Sequence, residues 1–345
     1  MERTENIFQN EHYWKEFNEK ELNLYADKIL SYYRKSGFPF YKTDNSYRSN
    51  EFLKLFKYDC STIIINKLVK QTMHGLALAW SYMPHSFYVS CNNMKTPMEV
   101  YEDDELFLKA IKKRLRIGTY ITDSGIRKAL KCYSGVQTVS NFRPTSATAI
   151  YERYSGEGSV LDMSCGYGGR LLGAIKSKRV TRYTGLEPCS ETYSGLLSLA
   201  EDFNNRKEDM FLRPKKIQIY KMGSEDFVEE NKYDLCFTSP PYFNLEKYSK
   251  EETQSYIKYP TVDSWYDGFL KKTIQNSHLN LKKNGKLILN IKKTKTLPDF
   301  VEKTKEYALD CGFVLSDFLY LELSQQTFMK EKPNHEPILV LEKLI

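Results

Sequence analysis

No stretch of this 345-residue chain approaches the roughly 20 consecutive apolar residues of a membrane-spanning helix, so no membrane partner is expected. The opening Met1-Glu2-Arg3-Thr4-Glu5 has none of the apolar core of a secretion signal. The seven cysteines (Cys60, Cys91, Cys132, Cys165, Cys189, Cys236 and Cys311) are scattered and include no C-x-x-C pair. Neither a zinc site nor a disulfide framework is therefore expected; reduced thiols in a cytoplasmic protein are the simpler reading, with no metal. No Gly-Lys-Ser/Thr phosphate loop is present, which leaves nucleoside triphosphate hydrolysis without support. Internal repeats, low-complexity tracts and long flexible linkers are missing as well.

What remains is an ordinary globular composition, with 41% hydrophobic and 28% charged residues, in a chain long enough to bury a core. The net charge of +7 is a mild lean toward polyanionic partners, and most of the excess lies in residues 1–140. Its densest cluster, Lys112-Lys113-Arg114-Leu115-Arg116, reads either as a solvated helix face or as a phosphate-contacting patch. Twenty-six tyrosines and 19 phenylalanines suit base stacking, although most of them must simply pack the core.

Two regions differ in rhythm. Residues 1–135 read as mainly helical, with Trp14, Phe17, Leu22, Tyr25, Ile29 and Tyr32 at helical spacing, a break at Gly37-Phe38-Pro39-Phe40, and a further helix over Glu105 to Arg116. This region is a candidate for nucleic-acid or target recognition. Residues 136–345 alternate strands with helices, the mark of a doubly wound parallel sheet. Strands are predicted at Ser159–Met163, Tyr183–Glu187, Lys216–Tyr220 and Tyr233–Phe237, and at Lys286–Ile291 after a turn at Lys283-Asn284-Gly285. Two last strands, Phe313–Leu323 and Pro337–Glu342, would add a late hairpin to the parallel sheet.

Asp162-Met163-Ser164-Cys165-Gly166-Tyr167-Gly168-Gly169 falls at the carboxyl end of the first strand of that sheet, just before a helix. Glycines there allow a tight turn and close approach to a ligand, and sheets of this kind bind ligands beyond their carboxyl ends. An acidic residue at the start of the loop would repel a pyrophosphate and favours a ligand with a cationic amino-acid group, such as S-adenosylmethionine. Glu187 ends the next strand, where a carboxylate suits two ribose hydroxyls. Glu225 or Asp226, after the third strand, is placed to meet an adenine amine.

Thr238-Ser239-Pro240-Pro241-Tyr242 closes the fourth strand. Two prolines fix φ at successive positions and remove two donors, leaving outward carbonyls beside an aromatic ring. Such a turn can grip a planar, amine-bearing group; it can also do no more than cap a strand.

Together the glycine loop and the tetrapeptide resemble those of class I S-adenosylmethionine-dependent methyltransferases, specifically the amino-methyltransferases of DNA. The order of Asn141-Phe142-Arg143-Pro144-Thr145, the glycine loop and Ser239-Pro240-Pro241-Tyr242 matches that family's gamma arrangement over residues 136–345. The resemblance implies a Rossmann-like α/β sheet with a terminal antiparallel hairpin, preceded by a mainly helical N-terminal region. It further implies a cofactor, S-adenosyl-L-methionine, held by Phe142, Arg143, Pro144, Thr145, Asp162, Ser164, Gly166, Gly168, Glu187, Glu225, Asp226 and Thr238. The catalytic group would be Ser239, Pro240, Pro241 and Tyr242: Ser239 and the Pro240 carbonyl accept from the target amine and Tyr242 stacks on the base.

The implied substrate is DNA, as a duplex with a flipped base or as a single strand. The leading serine resembles enzymes of cytosine N4 more than those of adenine N6, and a restriction-modification setting is one expectation. The loop begins Asp162-Met163-Ser164 where the family often has Asp-Pro-Phe, and no separate target-recognition region follows the tetrapeptide. Sequence choice is then expected from the N-terminal region, a partner subunit, or the tyrosine-rich loop Phe243 to Tyr259, which would close over the target. Other readings keep the fold: methylation of RNA or a protein amide, or a catalytically idle domain that binds nucleic acid. His335-Glu336, just before the last strand, is expected to be structural, the other reading being an approach to the site from the sheet edge.

Overall fold

The computed structural model describes residues 16–117, 121–132, 135–206, 213–323 and 335–344. Trp14, with the start of the N-terminal apolar pattern, and the polar segment 324–334 lie outside the described residues. In chain order the strands are β1 (Ile64–Ile65), β2 (Leu68–Val69), β3 (Ser90–Cys91), β4 (Ser159–Asp162), β5 (Arg182–Leu186), β6 (Lys216–Tyr220), β7 (Tyr233–Thr238), β8 (Glu246–Lys247), β9 (Leu281–Asn290), β10 (Phe313–Glu322) and β11 (His335–Lys343). The chain divides into two compact units. One holds Met1–Lys42, Pro84–Ser140 and Glu246–Tyr248; the other holds Thr43–Met83, Asn141–Leu245 and Ser249–Ile345.

The first unit is mainly helical. Helix Glu19–Ser36 begins in a capping box between Asn18 and Glu21 and stops at Gly37, whose φ of 86° halts the helix. It buries Leu22, Ala26, Ile29 and Tyr33 against Phe107, Ile111 and Leu115 of helix Asp104–Arg116 and Ile126 and Leu130 of helix Asp123–Lys131. The Lys112–Arg116 cluster sits on the last turns of the second of these helices, where cations complement the helix C-terminus. A two-stranded ribbon pairs Ser90 with Lys247 and Cys91 with Glu246.

The second unit is built on one sheet of nine strands in the order β1-β2-β10-β11-β9-β7-β4-β5-β6. The strands β6, β5, β4, β7 and β9 run parallel, while β11 is antiparallel to β9 and β10 antiparallel to β11. This is the expected α/β Rossmann-like sheet, parallel at its centre, with its terminal antiparallel hairpin. Its central strands are apolar runs because helices cover both faces. Leu161, Leu235, Cys236, Phe237, Leu287 and Ile288 are all fully buried. Each such leucine, isoleucine or phenylalanine contributes roughly 1.5–3 kcal/mol relative to exposure. On one face Trp265, Phe269, Ile274 and Phe300 pack over Leu161, Cys236 and Leu287.

Two sequence readings are corrected. Residues 43–83, expected in the N-terminal region that ends at 135, belong to the second unit. The reason is direct pairing: β2 adds to the sheet parallel to β10, and Arg48 and Tyr82 both bond Asp202 of helix Ser190–Asn205, at 3.0 and 2.6 Å. The turn expected at Lys283-Asn284-Gly285 lies inside β9 instead. The register with β7 jumps from Tyr233↔Leu281 to Leu235↔Lys286, so the extra residues bulge from a continuing strand, with Asn284 at φ 61°. Among the described residues no helix is long and apolar enough to cross a membrane.

Candidate functional site

The strand order reverses at β4, since β5 and β6 extend the sheet one way and β7 and β9 the other. A crevice at such a switch point, outside the carboxyl ends, is where sheets of this kind take ligands. Asp162 is the register partner of Phe237. The glycine loop and Thr238–Tyr242 therefore leave adjacent strands at the same edge.

Within the glycine loop, Gly166 and Gly168 have φ of 54° and 78°, a conformation that favours glycine. A Cβ on Gly166 would meet only the Ser164 carbonyl oxygen, at 3.9 Å. Gly168 caps helix Gly169–Lys176. The expected segment 141–145 lies directly against this loop. Asn141 donates to the Tyr167 carbonyl at 2.9 Å and accepts from the Gly169 amide at 3.1 Å. A Cβ on Gly169 would come within 1.9 Å of the Phe142 carbonyl oxygen, and the Phe142 ring meets Phe237 edge-on at 5.3 Å.

Arg143 and Thr145 face a neighbour the sequence did not announce. Arg143 donates to Gln71 at 3.0 Å, and Thr145 shares a 2.8 Å hydrogen bond with Thr72. Pro144 opens helix Pro144–Tyr154, where its missing amide proton costs nothing.

Asp162 departs from the expected role. It is fully buried; its carboxylate accepts from Arg170 Nε at 3.0 and 3.1 Å and from the Tyr183 hydroxyl at 2.7 Å. The amide of Ser164 reaches the same carboxylate at 3.3 Å, and Arg170 also donates to the Ser164 carbonyl. Asp162 thus anchors the loop from below rather than facing a ligand, because an arginine eight residues on already satisfies it. Burial opposes the Arg170 charge, and Asp162 beside it raises the guanidinium pKa above its ordinary value.

Glu187 follows β5 and is 8% exposed. One carboxylate oxygen accepts from the Gly166 amide and the other from the Cys189 amide, both at 3.0 Å. Burial pushes its pKa up to about 7 despite those two donors. Each oxygen keeps a lone pair for a further donor.

Glu225 and Asp226 share Lys258, whose Nζ lies 3.0 Å from Glu225 Oε1 and 2.5 Å from Asp226 Oδ2. Partial burial pulls Lys258 down, yet hydrogen bonds to Asp226 and Glu225 raise it overall. Burial raises the Glu225 pKa, with Lys258 opposing. The other oxygen of Glu225, Oε2, is buried and has no hydrogen-bond partner among the described residues.

The stretch 249–259, expected to close over a target, is tied to this side of the sheet. Glu251 accepts from the amide and hydroxyl of Ser190 at 3.0 and 2.7 Å, and Thr253 donates to the Pro188 carbonyl at 3.1 Å. The earlier part of that loop, Glu246–Lys247, is β8, paired with β3.

Around the tetrapeptide, Thr238 ends β7 with its hydroxyl buried and without a hydrogen-bond partner among the described residues. Ser239 is half-buried, Pro240 buried, and Pro241 and Tyr242 half-buried. The Tyr242 ring meets Phe300 edge-on at 5.7 Å, and Lys292 Nζ lies 5.9 Å from its centre. Asn290, at the end of β9, reaches Ser239 Oγ at 3.4 Å. Sequence reasoning passed over Asn290; the available signal was a polar residue ending the apolar run Leu287-Ile288-Leu289 at the sheet's ligand edge.

No family model matches the chain, and no curated protein matches it. Three solved structures similar to it are a methyltransferase from Pyrococcus furiosus (14% identity over 64% of this chain and 94% of that one, TM-score 0.39), magnesium protoporphyrin IX methyltransferase from Synechocystis with bound S-adenosylmethionine (13%, 58% and 77%, 0.39), and an N-methyltransferase from Bradyrhizobium japonicum (10%, 57% and 94%, 0.39). At these scores the likenesses decide nothing further about this chain, and the named activities and ligand belong to those proteins.

Proposed function

We propose that this chain transfers a methyl group from S-adenosylmethionine to an exocyclic amine of a DNA base, cytosine N4 in first place and adenine N6 next. The observation that carries the reading is the Asp162–Phe237 register, which brings the glycine loop and Ser239–Tyr242 out side by side at the switch point.

The residues present suit that cofactor. The Gly166 turn leaves room for an amino-acid group, Glu187 has acceptor capacity left for ribose hydroxyls, and the stranded Glu225 Oε2 is an acceptor in want of an adenine amine. Asp162 enters through the loop that it and Arg170 hold in shape. When bound, the cofactor supplies an electrophilic methyl on a sulfonium.

The chain's own groups prepare the nucleophile. A base amine attacks poorly because its lone pair is delocalised into the ring. Ser239 Oγ and the Pro240 carbonyl accept its two N–H bonds, pyramidalise the nitrogen and free the lone pair. The same acceptors stabilise positive charge growing on that nitrogen. Tyr242 offers a ring for the base to stack on, worth about 1–3 kcal/mol. Holding the partners in line supplies much of the acceleration. A duplex target must leave the stack, at a cost of a few kcal/mol.

The test is mass spectrometry of nucleosides after incubation of the full chain with S-adenosylmethionine and duplex DNA, single-stranded DNA, RNA or protein. N4-methylcytosine or N6-methyladenine in DNA supports the reading. Methylation of RNA or protein alone would replace the substrate, and cofactor binding with no transfer to any of them would leave an idle domain.

A further inference from the structure

Behind the tetrapeptide lies a second polar layer of Asn290, Lys292 and Glu336. Because β11 runs antiparallel to β9, the start of one strand meets the end of the other at the ligand edge, with Ile338 opposite Asn290. Asn290 is 3% exposed and Glu336 7%. Glu336 Oε2 accepts from Asn290 Nδ2 at 3.2 Å, and Oε1 accepts from Lys292 Nζ at 2.5 Å. The same Nδ2 points at Ser239 Oγ, 3.4 Å away. Asn290 Oδ1 is buried without a hydrogen-bond partner among the described residues.

A buried carboxylate is costly unless its charge and lone pairs are met. Lys292 and Asn290 meet them here. The flipped amide would set its own carbonyl oxygen against the Glu336 carboxylate, so Glu336 dictates that the N–H end of Asn290 faces Ser239.

We propose that Glu336, charge-balanced by Lys292, holds Asn290 as a positioning residue that fixes the Ser239 hydroxyl as an acceptor for the target amine. The inference rests on the methyl-transfer reading above. A serine hydroxyl carries one donor and two acceptor lone pairs and rotates to suit its surroundings. Left alone, it can turn its O–H toward the amine nitrogen and occupy the lone pair that must attack. With Asn290 donating to one oxygen lone pair, the other is kept for the amine N–H and the O–H is steered aside. The 3.4 Å separation is long, as bonds of this kind often are before substrate arrives, and shortens in the complex.

Two double-mutant cycles on the full chain test this. In the first, kcat and KM for an oligonucleotide are measured for Ser239→Ala, Asn290→Ala and the pair. Asn290→Ala alone lowers kcat about tenfold with KM and cofactor Kd within about twofold, and adds nothing once Ser239 is alanine. Glu336→Gln lowers kcat in the same direction, because its amide no longer orients Asn290. Additive losses, or a fall carried by KM, overturn the proposal. In the second cycle the melting temperatures of the same four proteins are compared: a non-additive shift is expected, and additive shifts mean that Asn290 and Ser239 are not coupled. This cycle needs no catalysis, so a wild-type chain that methylates no DNA sinks the methyl-transfer reading while the coupling is still decided. If Asn290→Ala fails to fold, Asn290→Leu keeps the volume without the amide and runs through both cycles.

Discussion

Arg170 and Asp162 form an ion pair at 3.0 Å whose side chains are 5% and 0% exposed. Removing one partner strands the other as a buried, uncompensated charge. Arg170→Met should therefore cost about 3–5 kcal/mol of stability in chemical denaturation. Adding Asp162→Asn to it should restore part of that loss, since the charge is then gone. A cost below about 1 kcal/mol would show that the pair does not hold the loop.

On the proposed reading, Ser239 and Tyr242 meet the substrate rather than the cofactor. Ser239→Ala and Tyr242→Ala should each lower turnover by about 10²-fold. The cofactor Kd measured by calorimetry should stay within about twofold, because neither side chain lies with the cofactor-holding groups. Parallel losses of turnover and cofactor affinity would mean that the roles have been divided wrongly.

Glu225 carries the stranded oxygen. In Glu225→Gln an amide NH₂ takes the place of an acceptor, so it can no longer receive a hydrogen bond from adenine. The cofactor Kd is expected to rise about tenfold, some 1.4 kcal/mol. Lys258→Met serves as the companion: it releases Glu225 and Asp226 from their shared cation. An unchanged Kd in Glu225→Gln would move the adenine contact to Asp226.

Glu187 gives the site a pH dependence. Its pKa is about 7 in the folded chain against an ordinary 4.5, so between those values the folded form takes up the proton the unfolded form has lost. Stability from this group therefore grows as pH falls through 7 and is lost as pH rises through it. Cofactor binding needs the ionised carboxylate and should run the other way, with Kd rising by up to tenfold per pH unit below about 7. Calorimetry from pH 5.5 to 8.5, a span of about three units around that value, reads this out. Glu187→Gln should bind weakly throughout and lose the pH dependence, because its NH₂ faces the Gly166 or Cys189 amide. A flat wild-type profile would count against Glu187 as a ribose acceptor.

Much of the second unit was legible because parallel strands covered on both faces are apolar along their whole length. The pattern found β4, β5, β6 and β7 to within a residue or two, and the glycines and prolines marked the two loops that matter. The partner of Asp162 was not legible. Arg170 lies in a helix where an arginine ordinarily reaches solvent, and only the fold turns it inward. The Lys283-Asn284-Gly285 string carries turn residues, yet its neighbours' pairing kept it in β9 as a bulge. Residues 43–83 carry helical and apolar signals without indicating which sheet they join, since β2 finds β10 some 250 residues later. Asn290 and Glu336 are 46 residues apart, and nothing local in either announces the other.

The insertion of β11 between β9 and β10 has a consequence for biosynthesis. Of the strands described, β11 leaves the ribosome last, and until it slots into place Glu336 is missing from the edge where Ser239 waits. The glycine loop and Ser239 are thus synthesised before the carboxylate that holds Asn290. Closing the sheet by a late, sequence-distant pairing is intrinsically slow. On the proposed reading, the Ser239 acceptor is therefore completed only once β11 pairs with β9.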